Sequence, residues 1–181
     1  MKIIKNMAII IAIIIAIPLV IALFTAKDVS VVREITINRP HHEVYDYAKY
    51  LKNQNHFSKW ASMDPDMRTE YRGTDGEVGF VSFWESENPE VGSGEQEILA
   101  IQEGKRIDYA LRIFEPFKSS DKAYMEFEPQ NEKETLVRWG YEGHMAYPKN
   151  AMLLVMDMEK MVGDDFQTGL ENLKRILESD Q

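Results

Sequence analysis

Residues 31–60 read VVREITINRPHHEVYDYAKYLKNQNHFSKW, and this stretch decides the fold. Taken back to Val29, it places Val29, Val31, Ile35 and Ile37 on one face at period two, the pattern of a half-buried strand, with Arg33 as a charged intruder on that face. Asn38-Arg39-Pro40 halts the strand, since proline offers no backbone donor and suits a first helical turn. Val44, Ala48 and Leu51 then recur at near-helical spacing and predict a helix from about His41 to Leu51. Phe57 and Trp60, at i and i+3, predict one further apolar-faced turn, a second short helix.

Downstream the texture changes. From Arg68 to Glu142, short β-branched and aromatic runs are separated by Gly73-Thr74-Asp75-Gly76, Glu87-Asn88-Pro89, Glu103-Gly104-Lys105 and Gln130-Asn131-Glu132, the spacing of an antiparallel meander. Ile107, Tyr109, Leu111 and Ile113 alternate in one strand, and Thr135, Val137, Trp139 and Tyr141 in another, so one sheet face is dry and the other wet. Pro148 opens a long amphipathic helix to about Glu178, carrying Met152, Val155, Val162, Phe166, Leu170, Leu173 and Leu177. Gly163 and Gly169 inside it predict a bend or close packing against another backbone.

Upstream, every residue from Met7 to Phe24 is apolar, with Lys2 and Lys5 before the run and Lys27 after it. With Thr25 and Ala26, this gives about the 20 residues that a helix needs to cross a hydrocarbon core of roughly 30 Å. A cleaved signal peptide is the competing reading. Against it, the run exceeds the usual ~7 to 15 residues of a signal core, and Phe24 spoils both nearby small-x-small windows. The expected organisation is an N-terminal anchor over residues 1–26, its membrane helix at about 7–26, and a domain over residues 27–181. Lys2 and Lys5 are nearly balanced by Lys27 and Arg33, so basic bias hardly fixes orientation; the expectation is a domain on the non-cytoplasmic side, which Asp28 and the absence of a basic cluster do not oppose.

The net charge is −9, and setting aside Lys2 and Lys5 leaves −11 on the remainder, a balance that repels nucleic acid and anionic head groups. The chain has no cysteine, which excludes disulfides, thiolate metal ligands, cysteine nucleophiles and a lipidated cysteine anchor. Past the apolar run, 155 residues suffice for one domain with its own core.

The order strand, two short helices, six-strand meander and long C-terminal helix resembles the START-related helix-grip superfamily, also known as SRPBCC or polyketide cyclase/dehydrase-like proteins. Besides residues 31–60, the strings VGSGEQEI, VRWGYEGH and MVGDDFQTGLENLK are similar to its later strands and final helix, and the likeness spans about Val29 to Leu177. It implies an α+β helix-grip fold, in which a curved antiparallel sheet of about seven strands wraps the long helix and leaves an apolar tunnel between them. Phe57, Trp60, Phe83, Tyr109, Trp139 and Tyr141 would supply aromatic lining. Met152 and Met156, with Met145, Met158 and Met161, would supply adaptable thioethers.

The chemical motifs are sparse. His41 and His42 are adjacent and point about 100° apart on a helix, His56 and His144 are isolated, and no spacing supports a metal or a triad, so no metal or other cofactor is expected. Asp64-Pro65-Asp66 lacks the glycine and later ligands of a calcium loop, and Gly73, Gly76 and Gly79 precede strands rather than the helix a phosphate loop needs. Glu85, Glu95 and Glu97 fall inside predicted strands; Glu85 or Glu97, if turned into the tunnel, would be a general acid or base. The leading expectation is a membrane-anchored carrier of a small apolar ligand such as a lipid, isoprenoid or polyketide. The alternatives are a cyclase or dehydratase using a cavity acid, and a protein-interaction module like the superfamily's chaperone activators.

Overall fold

The computed structural model describes residues 2–179. Helix α1 (Lys2–Ala22) leads into β1 (Asp28–Ile37), followed by three short helices, α2 (His41–Ala48), α3 (Leu51–Phe57) and α4 (Lys59–Met63). Six strands come next: β2 (Arg68–Arg72), β3 (Val81–Glu85), β4 (Ser93–Gln102), β5 (Arg106–Glu115), β6 (Ser119–Asn131) and β7 (Glu134–His144). A 3-10 turn (Lys149–Leu154) and α5 (Met158–Ser179) complete the described chain. The strands form one antiparallel sheet in the order β1-β7-β6-β5-β4-β3-β2, so β2 to β7 are a meander and β1 returns from the N-terminal side to pair with β7. The sheet curves around α5, which is the α+β helix-grip fold.

Strand alternation sorts the side chains. Val31 and Ile37 of β1, Ile107 and Tyr109 of β5, Ala123, Met125 and Phe127 of β6, and Val137, Trp139 and Tyr141 of β7 are buried on the inner face. They meet Phe166, Leu170 and Leu173 of α5 and Val44, Ala48, Leu51 and Phe57 of α2 and α3 in one core. The outer face carries a ladder of ion pairs, Arg106 with Asp108 and Glu126, and Arg138 with Glu34 and Glu128. Such exposed pairs contribute about 0–1 kcal/mol each, so burial on the inner face dominates.

Four local features differ from the sequence expectation. The first helix stops at Ala48, because extended Tyr50 breaks it and the Asp75 carboxylate, from the β2–β3 connection, accepts from the first amides of α3, Leu51 N at 2.9 Å and Lys52 N at 3.1 Å. The second is split at extended Ser58 into α3 and α4. The long C-terminal helix is also broken: a 3-10 turn comes first, and Asp157 starts α5 by accepting from Lys160 N at 3.0 Å. The apolar N-terminal helix ends at Ala22 rather than Ala26, where the chain turns and Lys27 enters the sheet through Met145 N to Lys27 O, 2.7 Å.

The two glycines of α5 make room for side chains. A Cβ on Gly169 would lie 2.7 Å from Trp139 Cζ3, and Trp139 is stacked on Phe166 at 4.6 Å between ring centres, with Phe57 edge-on at 5.7 Å. A Cβ on Gly163 would collide with the guanidinium of Arg33, which reaches across to pair with Glu159 at 2.8 Å. The intruding arginine of β1 thus lies along α5 with its charge at the solvent edge.

Gly169→Val is expected to lower stability by about 1–3 kcal/mol in urea unfolding, because the clamped indole cannot move aside. Gly163→Ala is expected to stay within about 1 kcal/mol of the parent, since the flexible Arg33 end can swing away and alanine favours the helix. Equal losses at the two positions would contradict this packing. Burial raises the phenol pKa of both Tyr109 and Tyr141. Their protonated forms therefore favour the fold, a contribution present below the ordinary tyrosine pKa of about 10 and lost as pH climbs above it. An alkaline absorbance titration should show at least two of the eight tyrosines ionising only as the protein unfolds; all eight titrating as free phenols would refute it.

Candidate functional site

Between the inner sheet face and the start of α5 lies a cavity of about 880 Å³. Its floor and wall come from alternate sheet residues: Ser82 and Trp84 of β3, Gln96 of β4, Leu111 and Ile113 of β5, Asp121 and Ala123 of β6, and Trp139 and Tyr141 of β7. Its roof is Met145, Met152, Met156, Met158, Val162 and Phe166, with Trp60 and Met67 at the α4 side. Thioethers and aromatic rings thus face each other across the space, a surface that fits irregular apolar shapes. The volume lies within the roughly 300–1,000 Å³ of small-molecule pockets.

The residues singled out from sequence separate into three groups. Trp60, Trp139, Tyr141, Met152 and Met156 all line the cavity. Phe57 and Tyr109 are fully buried behind it, Phe57 supporting Trp139 and Tyr109 packed in the core below. Phe83 turns to the outer face, where its ring tilts against Phe114 at 6.4 Å. This differs from the expectation of a tunnel-lining Phe83 because β3 has aromatic residues on both parities; Trp84 is the inward one, received over Gly94, whose missing side chain makes room for the indole. Met145 and Met158 line the roof while Met161 is exposed.

Glu85 and Glu97 are also placed away from the cavity. Glu85 pairs with Arg68 at 3.0 Å, and Glu97 with Arg112 at 2.6 Å on the outer face, where Arg112 also holds Glu95 at 2.9 Å. Alternation sends each acid to the arginine side of its strand, and the carboxylates are neutralised in solvent rather than held in apolar surroundings.

The acid that does face the cavity is Asp121. It is 9% exposed, makes no salt bridge among the described residues, and sits against the Tyr141 hydroxyl. Burial first, then the charge of Asp121 and a hydrogen bond to it, hold the Tyr141 phenol protonated far above its usual range. The result is a carboxylate beside a phenol donor, set in a mainly apolar lining, with Ser82, Gln96, Gln54 and Ser58 among its neutral polar groups and Lys118, His144 and Lys149 at its exposed margin. The sequence signal for Asp121 was its register, two residues before Ala123 and four before Met125 on the same face. No cluster of three metal-ligating side chains exists among the described residues.

Comparisons with known proteins agree with this architecture. Norcoclaurine synthase from Thalictrum flavum, solved in complex with dopamine and hydroxybenzaldehyde, superposes with a TM-score of 0.63 at 8% identity, covering 85% of this chain and 88% of that one. A solution structure of a Thermobifida fusca protein gives 0.55 at 19% identity over 82% and 92% of the two chains. The Aha1 dimer structure from Colwellia psychrerythraea gives 0.57 at 14% over 83% and 96%. At these identities the likeness is one of fold. No curated protein matches the sequence. Residues 28–178 match the family described as polyketide cyclase / dehydrase and lipid transport, and the chain belongs to that family.

Proposed function

We propose that this protein is a membrane-anchored carrier, residues 1–26 forming the anchor and residues 27–181 the binding domain, whose cavity holds a mainly apolar molecule with one hydrogen-bond-donating end. The observation that carries the reading is the lining itself, methionine and aromatic side chains around about 880 Å³ with a single buried carboxylate, Asp121, beside Tyr141. The ligand's hydrocarbon body would lie between Trp139, Met152 and Met156, and its polar end would donate to Asp121. The family description, which includes lipid transport, fits this class of ligand.

The anchor reading rests on Ile3–Ala22, a helix of 20 residues with mean hydropathy 2.6, about as long as a bilayer core is thick. It is favoured over a removed signal peptide because the buried Asn150 amide donates to the carbonyls of Ala22 at 2.6 Å and Thr25 at 3.4 Å. Cleavage would strip a fully buried side chain of its acceptors. A domain on the non-cytoplasmic side remains part of the proposal.

One observation favours a second reading, an enzyme in which Asp121 moves a proton. A carboxylate paired with a phenol inside an apolar cavity is the arrangement that such chemistry needs. A bound molecule released with altered mass by the wild type but unaltered by Asp121→Asn would favour the enzyme over the carrier.

All three tryptophans, Trp60, Trp84 and Trp139, line the cavity, so their fluorescence reports occupancy directly. Titration of residues 27–181 with a brominated long-chain alcohol is expected to quench it saturably. Met152→Asp, which puts a charge in the roof, and Asp121→Asn, which removes the anionic acceptor, should each weaken binding about tenfold, or about 1.4 kcal/mol, with unchanged circular dichroism. Quenching that never saturates, or that is the same in both variants, would overturn the reading.

A further inference from the structure

Resting on the anchor proposed above, we infer that the domain docks on the bilayer by its cavity mouth, so that ligand passes between lipid and cavity without crossing bulk water. The first ground is where the mouth lies. Apart from Thr69, every exposed residue lining the cavity belongs to one of two segments, residues 116–120 at the β5–β6 turn and the start of β6, or residues 144–149 from the end of β7 to the start of the 3-10 turn.

The second ground is that the latter segment is fastened to the end of the membrane helix. Only Leu23 to Lys27 separate α1 from β1. Asn150, fully buried, donates to Ala22 and Thr25, Met145 N donates to Lys27 O at 2.7 Å, and His144 meets Asp28 at 2.6 Å. Ala22 itself is buried against the 3-10 turn side of the domain. The end of α1 and the rim of the mouth are therefore one connected piece, and wherever the helix enters lipid the rim follows within a few residues.

The third ground is the chemistry of the rim. Phe117 and Tyr147 of the mouth are exposed, Phe117 by 68%; Leu154 and Val155, between the lining residues Met152 and Met156, are exposed too, Val155 by 87%, as are Leu23 and Phe24 just past the end of α1. Exposed Lys27, Lys118 and Lys149 lie within three residues in sequence of Phe24, Phe117 and Tyr147, in a domain whose charge is otherwise strongly acidic. Exposed apolar side chains with lysines as sequence neighbours match the boundary between acyl chains and anionic head groups.

The test uses the full chain in vesicles of neutral and anionic phospholipid. Because the protein has no cysteine, Ile10→Cys, Phe117→Cys, Val155→Cys and Lys133→Cys each offer one labelling site, the last in the β6–β7 turn at the opposite end of the sheet. A fluorophore at each is read for quenching by lipids with brominated acyl chains. Labels at 117 and 155 should be quenched about threefold or more above 133, as for side chains lying ~5–10 Å into the boundary region. Quenching at 10 with 117 and 155 no different from 133 overturns the docking and leaves the anchor standing. No quenching at 10 overturns the anchor, and the docking with it. In Asn150→Ala, the label at 155 should lose at least about half its quenching while that at 10 keeps it, because the two hydrogen bonds to Ala22 and Thr25 are gone and only the links at Lys27 and Asp28 remain; unchanged quenching at 155 overturns the role given to Asn150.

Discussion

The pairing of β1 with β7 is the constraint on which the rest of the molecule depends. Ten Cα partners, from Asp28↔His144 to Ile37↔Thr135, join segments about a hundred residues apart. The entropy of closing so long a loop is repaid only when the paired strands also bury a face, and here Val31 and Ile37 meet the core beside Val137, Trp139 and Tyr141. This one pairing also sets three functional placements. It lays Arg33 along α5 over Gly163, it fixes Trp139 and Tyr141 on the concave side, and it brings the end of α1 to the segment that rims the cavity.

The sheet then divides its charges by face. Outer-face carboxylates are met by arginines across the strands, as Glu95 and Glu97 are by Arg112 and Glu126 by Arg106. The inner face near the cavity holds Asp121, which lies by Tyr141 and makes no salt bridge among the described residues. Burying a carboxylate without a counter-charge is costly unless hydrogen bonds or a ligand compensate. In the proposed carrier, an acid in that position, next to a phenol that burial keeps protonated, is the group that would receive the polar end of the ligand.

Much of the architecture was legible because it rests on periodicity. Ile107-Tyr109-Leu111-Ile113 and Thr135-Val137-Trp139-Tyr141 alternate cleanly, and the inner face of the structure carries those residues. What was not legible depends on contacts between distant segments. Strand β3 has aromatic residues on both parities, so only its pairing with Gly94 turns Trp84 inward and Phe83 outward. Asp121 is flanked by Ser120 and Lys122, which reads locally as a solvated edge, and its inward register shows only when counted back from Ala123, Met125 and Phe127. The division of the helical segment at Tyr50 is completed by a cap from Asp75, and the α1 end is fixed by Asn150, 128 residues on; neither has a local signature.

The central claim is that the space under α5 is an open cavity that retains an apolar molecule. Native mass spectrometry of residues 27–181, purified without detergent and followed by organic extraction, tests it most directly. The account predicts a discrete adduct whose extracted mass belongs to an apolar compound with a single polar end, absent from Met152→Asp prepared in parallel. A bare protein mass for both, with nothing in the extract, would contradict it.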